Sequence, residues 1–127
     1  MNLDIKEWLR YAENDLKLAK MALNADIYEY ACFHAQQAVE KLLKTLILFH
    51  GREIPRTHSI KVLIDILKNI DKSYNYLFDL NADELSFYAV LTRYPEFEKD
   101  INSSEAKEAI EIGEKVKEFV MKKLDLS

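Results

Sequence analysis

The chain contains very little glycine, proline or cysteine. Its 127 residues include two Gly, two Pro and one Cys. Such a shortage of turn-forming residues argues against β-hairpins, β-barrels and disordered tails. The lone Cys32 excludes a disulfide framework and a thiolate metal cluster, and a single thiol on an apolar helix face is normally a small core residue.

The sequence also lacks an excess of positive charge and a long apolar run. Its formal net charge is −4, which is the wrong sign for a protein that coats duplex DNA by bulk electrostatics. The N-terminal residues alternate in charge without the apolar segment of a signal peptide. No stretch reaches the ~18 apolar residues of a membrane span. We therefore expect a cytoplasmic protein that binds neither duplex DNA nor a membrane.

The apolar residues of the chain recur with the period of an α-helix. Apolar residues make up 49% and charged residues 31%, which suits one compact domain over residues 1–127. The patterns predict an all-α, up-and-down four-helix bundle with an additional short helix. The predicted helices cover residues 4–23, about 28–50, 60–67 and 82–92 and a final helix after Asn102, with residues 71–80 partly helical.

Capping residues predict several of the helix ends. Asp26 with Glu29, and Asn102 with Glu105, have the spacing of capping boxes. Thr57 or Ser59 is expected to cap the third helix. A stop is expected at Gly51, and Pro95 ends the fourth helix because the residue before proline avoids the α region.

The second predicted helix carries apolar residues almost all the way round. A helix that buries one face does not have this pattern. We expect it to bury two faces, of which its own small domain covers one. The second face predicts a homodimer through this helix, with contacts from Tyr30, Phe33, Gln37 and Leu48.

Three polar residues lie on one side of the same helix. His34, Gln37 and Lys41 are separated by steps of three and four, which stack side chains on one face. They either line a dimer cleft that contacts a base or phosphate, or form a polar rim around a helix contact, and the rim is the favoured interpretation. His34 is also a candidate general base. Glu40 and Lys44 form an i,i+4 pair worth about 0.3 kcal/mol, which needs no functional reason.

The loop before the third helix concentrates basic residues. Arginine forks suit phosphate, and the backbone N–H groups of a helix start favour anions, so this loop is a candidate nucleotide or RNA phosphate site. The alternative is a solvated loop whose charges pair with Glu53 and Asp65. The basic residues are His50, Arg52, Arg56, His58 and Lys61.

Aromatic residues and histidines elsewhere give weaker signals. Aromatics at helical spacing are more often core residues than base-stacking platforms. Three scattered histidines without carboxylate spacing do not predict a metal site, and we expect no cofactor. The aromatics concerned are Tyr74, Tyr76, Phe78, Phe87 and Tyr88.

The order of several segments resembles the HEPN domain family of prokaryotes. The likeness runs from about residue 8 to about residue 120, and CFHAQQAVEKLLK followed by TRYP is its most specific part. The matching segments are WLRYAENDLKLAK, YEYACFHAQQAVEKLLKTLI, a Gly-Pro loop, THSIKVLI and LTRYP.

The resemblance implies an all-α bundle that dimerises. Such proteins are often encoded beside a minimal nucleotidyltransferase, and the pair can act as toxin and antitoxin. Some members are metal-independent RNA endonucleases, and others are described as nucleotide-binding or as non-catalytic partners.

The nuclease members of that family use an Arg, four to six intervening residues and a His near the start of the last long helix. Here Arg93, followed by Tyr94, occupies the plausible Arg position, but no His follows it. Arg52 and His58 have the required spacing, yet they lie in the loop before the third helix, and we interpret this match as coincidental.

Three functions remain open. The first is a dimeric module that binds a nucleotide or RNA phosphate and works with a nucleotidyltransferase partner. The second is a metal-independent ribonuclease that uses Arg93, and the third is a structural dimer without a ligand. They are favoured in that order.

Overall fold

The computed structural model describes residues 3–91, residue 94 and residues 100–125, with the backbone alone at Leu91. Every regular element in these ranges is helical, which confirms the predicted all-α fold. None of these helices combines the length and apolar character needed to cross a membrane. The helices are α1 (Leu3–Asn24), α2 (Tyr28–Phe49), α3 (Ile60–Ile70), α4 (Tyr76–Asp79), α5 (Ser86–Leu91) and α6 (Ser103–Lys123), with 3-10 turns at Lys72–Asn75 and Ala82–Leu85.

Helix α2 is the centre of the bundle. Helices α1 and α6 make the largest contacts with it, and α3 and α5 also pack against it. Leu42, Leu43 and Ile47 are fully buried on one side of α2, and Lys44 and Thr45 extend the buried surface beyond it in both directions. The helices of this one chain therefore cover most of its circumference. The expectation that a single domain covers only one face of α2 is wrong, because α2 is an interior helix with neighbours on several sides.

A tight turn joins α1 to α2. Asp26 has a left-handed backbone with φ 60, and its N–H donates to the carbonyl of Leu23 at 3.0 Å. The next N–H, from Ile27, donates to the carbonyl of Ala22 at 2.8 Å. These bonds are the helix-closing pattern of a Schellman motif. Ile27 is the N-cap of α2 and contributes no side-chain bond, so the predicted Asp26–Glu29 capping box is wrong: Asp26 closes α1 instead.

Three other predicted helix ends agree with the structure, whereas the end predicted before Pro95 lies outside the described residues. Gly51 follows α2 with φ 75, a conformation that glycine adopts without steric cost, and its N–H donates to the carbonyl of Leu48 at 2.9 Å. Ser59 caps α3 by accepting the Val62 N–H at 3.3 Å. Asn102 caps α6 by accepting the Glu105 N–H at 2.8 Å.

The described residues between α3 and α5 form short helical pieces. The fourth helix predicted over residues 82–92 is a 3-10 turn followed by α5. Tyr74, in the first 3-10 turn, is fully buried, and Phe78 and Tyr88 pack against the core. The core interpretation is confirmed for these three aromatics. Tyr76 and Phe87 are about half exposed, so it does not hold for them.

Helix α6 lies very close to α1. A Cβ atom added at Gly113 would lie 2.8 Å from Cδ2 of Leu16, so the glycine permits the close approach. The buried face of α6 contains Ile110, Gly113, Val116 and Val120, and the C-cap residue Leu124 is also buried.

Candidate functional site

Two of the predicted polar residues on α2 meet at a carboxylate on α1. Asp15 is 6% exposed. His34 Nδ1 lies 2.9 Å from one of its oxygens, and Lys41 Nζ donates to the other at 2.5 Å. We call Asp15, His34 and Lys41 the Asp15 cluster. Because Lys41 is already paired with Asp15, its charge is largely neutralised.

A second carboxylate, Glu40, organises a network on the neighbouring side of α2. Glu40 is 5% exposed and Lys44 is 6% exposed. Lys44 Nζ donates to Glu40 at 3.0 Å, and the buried amide of Gln36 donates to it at 3.3 Å. We call Gln36, Glu40, Lys44 and His58 the Glu40 cluster. Glu40 and Lys44 form the predicted i,i+4 pair, but it is buried because α2 turns this side into the protein.

The exposed member of the Glu40 cluster is His58. Its Nδ1 lies 3.1 Å from both Glu40 oxygens, while its side chain is 66% exposed. A carboxylate bonded to Nδ1 fixes the orientation of an imidazole and leaves Nε2 for another partner. The oxygen of the Gln36 amide is buried and unpartnered. The cluster therefore presents a fixed histidine at the surface above a buried ion pair.

The α2–α3 loop contains two arginines, and both are close to His58 in the sequence. Arg52 and Arg56 both lie on the surface, and neither forms an ion pair with a carboxylate in the part of the chain that the structure describes. Two guanidinium forks without carboxylate partners retain their capacity to bind an oxyanion. Arg52 and Arg56 are therefore the residues of the predicted phosphate site that remain available to a ligand.

Two other predicted members of the loop cluster have different partners. His50 Nε2 lies 2.7 Å from the hydroxyl of Tyr74, in the interior. Lys61 donates to Asp65 at 2.9 Å, and this hydrogen bond holds the pKa of Asp65 below its ordinary value. The expected pairing of a loop charge with Asp65 is therefore present for Lys61.

The start of α3 contributes less to an anion site than expected. The N–H of Ile60 donates to Ser86 Oγ at 2.9 Å, and the N–H of Val62 donates to the Ser59 cap. The N–H of Ser59 donates to Thr57 Oγ1 at 3.1 Å. These N–H groups already have acceptors, so the predicted contribution from the helix start is reduced.

The remaining predicted site residues are Gln37, Tyr94 and Arg93. Gln37 is partly buried, and its side-chain oxygen is unpartnered. Tyr94 is 48% exposed. Arg93, the best candidate for a catalytic residue, lies outside the described residues. The structure thus brings together His34 with Lys41, and separately brings His58 to Glu40.

The residues predicted to form a dimer contact differ in exposure. Tyr30 is 52% exposed, whereas Phe33, Gln37 and Leu48 are partly buried. Leu48 packs against the core of its own chain. Tyr30 and Phe33 therefore offer more free apolar surface to a second molecule than Leu48 does.

Asp15 and Glu40 are members of the two clusters that sequence reasoning did not include among the candidate site residues. Asp15 is three residues after Ala12 and four before Ala19, and both alanines are fully buried. A carboxylate in the middle of a buried stripe is a signal for a buried ionic contact. The contact of Glu40 with His58 joins α2 to the loop that follows it, which spacing within one helix cannot show.

Comparisons with known proteins place the chain in one family. The model of the "HEPN domain" family matches residues 5–124. A curated protein of Methanocaldococcus jannaschii named "Putative toxin MJ1304" is 28% identical, over 95% of this chain and 91% of the relative.

Solved structures agree with this result. TT1696 from Thermus thermophilus is similar with a TM-score of 0.79 and 32% identity, over 94% of this chain and 97% of that chain. ST0689, described as an archaeal HEPN homologue, is similar with a TM-score of 0.75 and 30% identity, over 94% and 96%. With these matches and an all-helical fold, the chain belongs to the HEPN domain family.

Proposed function

We propose that this protein is a dimeric, single-domain HEPN module that holds the phosphate of a nucleotide or RNA at its α2–α3 loop. It works with a minimal nucleotidyltransferase partner, in the manner of a toxin–antitoxin pair. Membership of the HEPN family and the relative named as a toxin support this general role. The cytoplasmic location stays a prediction.

One observation carries the proposal. Arg52 and Arg56 are exposed and have no carboxylate partner in the described residues, and His58 in the same loop is held by buried Glu40. On a chain with net charge −4, two guanidinium groups without a carboxylate partner, in the same loop as a fixed imidazole, favour a phosphate over a neutral ligand. Lys41, by contrast, is neutralised by Asp15 and is no longer proposed as a phosphate ligand.

The proposal is tested by thermal unfolding with 5′-AMP or a 5′-phosphorylated oligoribonucleotide. A ligand that binds only the folded state raises the melting temperature. We expect a concentration-dependent increase for the natural sequence and a loss of most of it in Arg52→Ala and in Arg56→Ala. Arg93→Ala is included, because the family resemblance points to Arg93.

Lys107→Ala is the matched control. Lys107 is exposed on α6 without an ion pair in the described residues, so its replacement removes one positive charge away from the loop. It should retain the full shift. Equal shifts in Arg52→Ala, Arg56→Ala and the natural sequence would contradict the proposed site.

The partner is proposed from the family resemblance. A small nucleotidyltransferase encoded by an adjacent gene is expected to form a complex when the two chains are co-expressed. Separate elution of the two purified proteins on size exclusion would count against this part of the proposal and leave the phosphate site unaffected.

Ribonuclease activity is the second candidate, and the Glu40 cluster favours it. His58 is fixed by a carboxylate, as an imidazole that moves protons must be, and it follows Arg52 at the Arg–His spacing of the family's nucleases. This observation reopens the match that the sequence suggested was coincidental. His58 then supplies the missing histidine, with Arg52 or Arg93 beside the phosphate.

The nuclease candidate predicts RNA cleavage in the presence of EDTA. His58→Ala should abolish it, and Arg52→Ala or Arg93→Ala should reduce it strongly. His34→Ala is the control, because His34 belongs to the Asp15 cluster. Cleavage that survives His58→Ala would indicate a contaminant or another site.

A further inference from the structure

We propose that an apolar pocket between α1 and α2 binds a nucleobase. The pocket has a volume of about 310 Å³ and is lined by Glu7, Trp8, Tyr11 and Lys41. This inference rests on the proposed function, since it adds a base site to a protein that binds a nucleotide or RNA. The pocket would hold the base, whereas the α2–α3 loop would hold the phosphate.

The walls of the pocket are flat and fixed. Trp8 and Tyr11 are three residues apart, and steps of three place side chains on one face of a helix. The Arg10 guanidinium lies 4.9 Å from the centre of the Tyr11 ring, and Arg10 is itself paired with Glu7 at 2.7 Å. Tyr11 is 51% exposed, so the part of its ring that Arg10 does not cover is accessible to a ligand.

The charged residues of the pocket are already neutralised. Glu7 is bonded to Arg10, and Lys41 is bonded to Asp15, which also holds His34. Lys41 Nζ is drawn toward Asp15, so its methylene chain is the part available to line the pocket. A charged ligand would therefore gain little here, whereas a neutral planar ring can stack on two aromatic side chains.

A nucleobase fits these requirements better than other small groups. Ligand pockets of about 300 Å³ are at the small end of the known range and are mostly apolar with few polar groups. Every base has an aromatic face, and each stacked base is worth about 1–3 kcal/mol.

The chain contains a single tryptophan, so Trp8 fluorescence reports on this pocket directly. Titration with adenosine, which has no phosphate, should change the Trp8 emission in a saturable way. Tyr11→Ala, at an exposed position, should retain the fold and weaken adenosine binding by about fivefold or more, the lower end of the stacking range.

Leu18→Ala is the matched control, because Leu18 is an exposed apolar residue of α1 outside the pocket. It should bind adenosine like the natural sequence. Arg56→Ala should also bind adenosine normally, which separates the base pocket from the phosphate site. The proposal is overturned if adenosine produces no saturable change, or if Leu18→Ala weakens binding as much as Tyr11→Ala.

A second copy of the chain is the other candidate occupant. In that case Trp8 emission would depend on protein concentration and would not respond to adenosine, which would also overturn the base site. Loss of the adenosine response together with normal 5′-phosphate binding would remove this inference and leave the proposed function in place.

Discussion

At the scale of single residues, two buried carboxylates determine which polar side chains meet. Asp15 holds His34 and Lys41, and Glu40 holds Lys44 and His58. Sequence spacing predicted that His34 and Lys41 share a face. It did not predict their partner, because the pairing crosses from α2 to α1 and spacing describes one helix at a time.

Glu40→Ala should destabilise the protein strongly. Lys44 is 8% exposed at its side chain, and removal of its partner leaves a buried charge unpaired, which costs about 3–5 kcal/mol. The free energy of unfolding, measured by urea denaturation, checks this.

Glu118→Ala is the control for that measurement. Glu118 and Lys122 have the same i,i+4 spacing, but their side chains are 69% and 64% exposed. The loss there should be about 0.5 kcal/mol or less. Similar losses of unfolding free energy in the two variants would contradict the strong stabilisation expected from the buried Glu40–Lys44 pair.

At the scale of elements, the long helices could be predicted and the short ones could not. The bounds of α1, α2 and α6 follow from apolar periodicity and from residues such as Gly51 and Asn102. The turn at Asp26 was assigned to the wrong helix, because one acidic residue between two helices can cap the second or close the first. His50 at the end of α2 contacts Tyr74 in the first 3-10 turn. Local sequence patterns did not predict this contact.

The raised pKa of Tyr74 predicts how the free energy of unfolding changes at alkaline pH. Burial, with a smaller effect of Asp71, raises the pKa of Tyr74 to about 12 from 10.0. The unfolded chain releases this proton near the lower value, so the stabilisation is complete below about pH 10 and is lost as pH rises toward about 12. Burial also raises the pKa of Tyr88, which adds in the same direction.

Tyr74→Phe should therefore lose less stability between pH 10 and 12 than the natural sequence does. It should also lose about 1 kcal/mol at neutral pH, because the hydrogen bond to His50 is removed. Tyr76→Phe is the control, since Tyr76 is 48% exposed. An unchanged alkaline slope in Tyr74→Phe, measured by denaturation at each pH, would refute the assignment.

At the scale of the whole molecule, α2 is an interior helix, and this changes the argument for a dimer. Apolar residues all round α2 are explained by the helices of its own chain. The dimer proposal now depends on the apolar surface that remains near Tyr30 and Phe33. Sequence reasoning could identify the fold from periodicity and family likeness, but it could not decide which apolar faces are covered within one chain.

Phe33→Asp should yield a folded monomer if that surface pairs two copies. A buried carboxylate in an apolar contact without a partner is strongly unfavourable. Light scattering gives the mass, and circular dichroism confirms that the helices remain. Val62→Asp, at a 43% exposed apolar position on α3, should stay dimeric; a natural-sequence monomer, or a dimer that persists in Phe33→Asp, would contradict the proposed interface.

The central claim is that the α2–α3 loop binds phosphate through Arg52, Arg56 and the Glu40-held His58. The most direct measurement is a ¹⁵N NMR titration of the side-chain nitrogens with 5′-AMP. We expect saturable shifts of the two guanidinium groups and of His58, with Lys107 unaffected. Loop signals that stay in place while 5′-AMP binds elsewhere, or does not bind, would contradict the account.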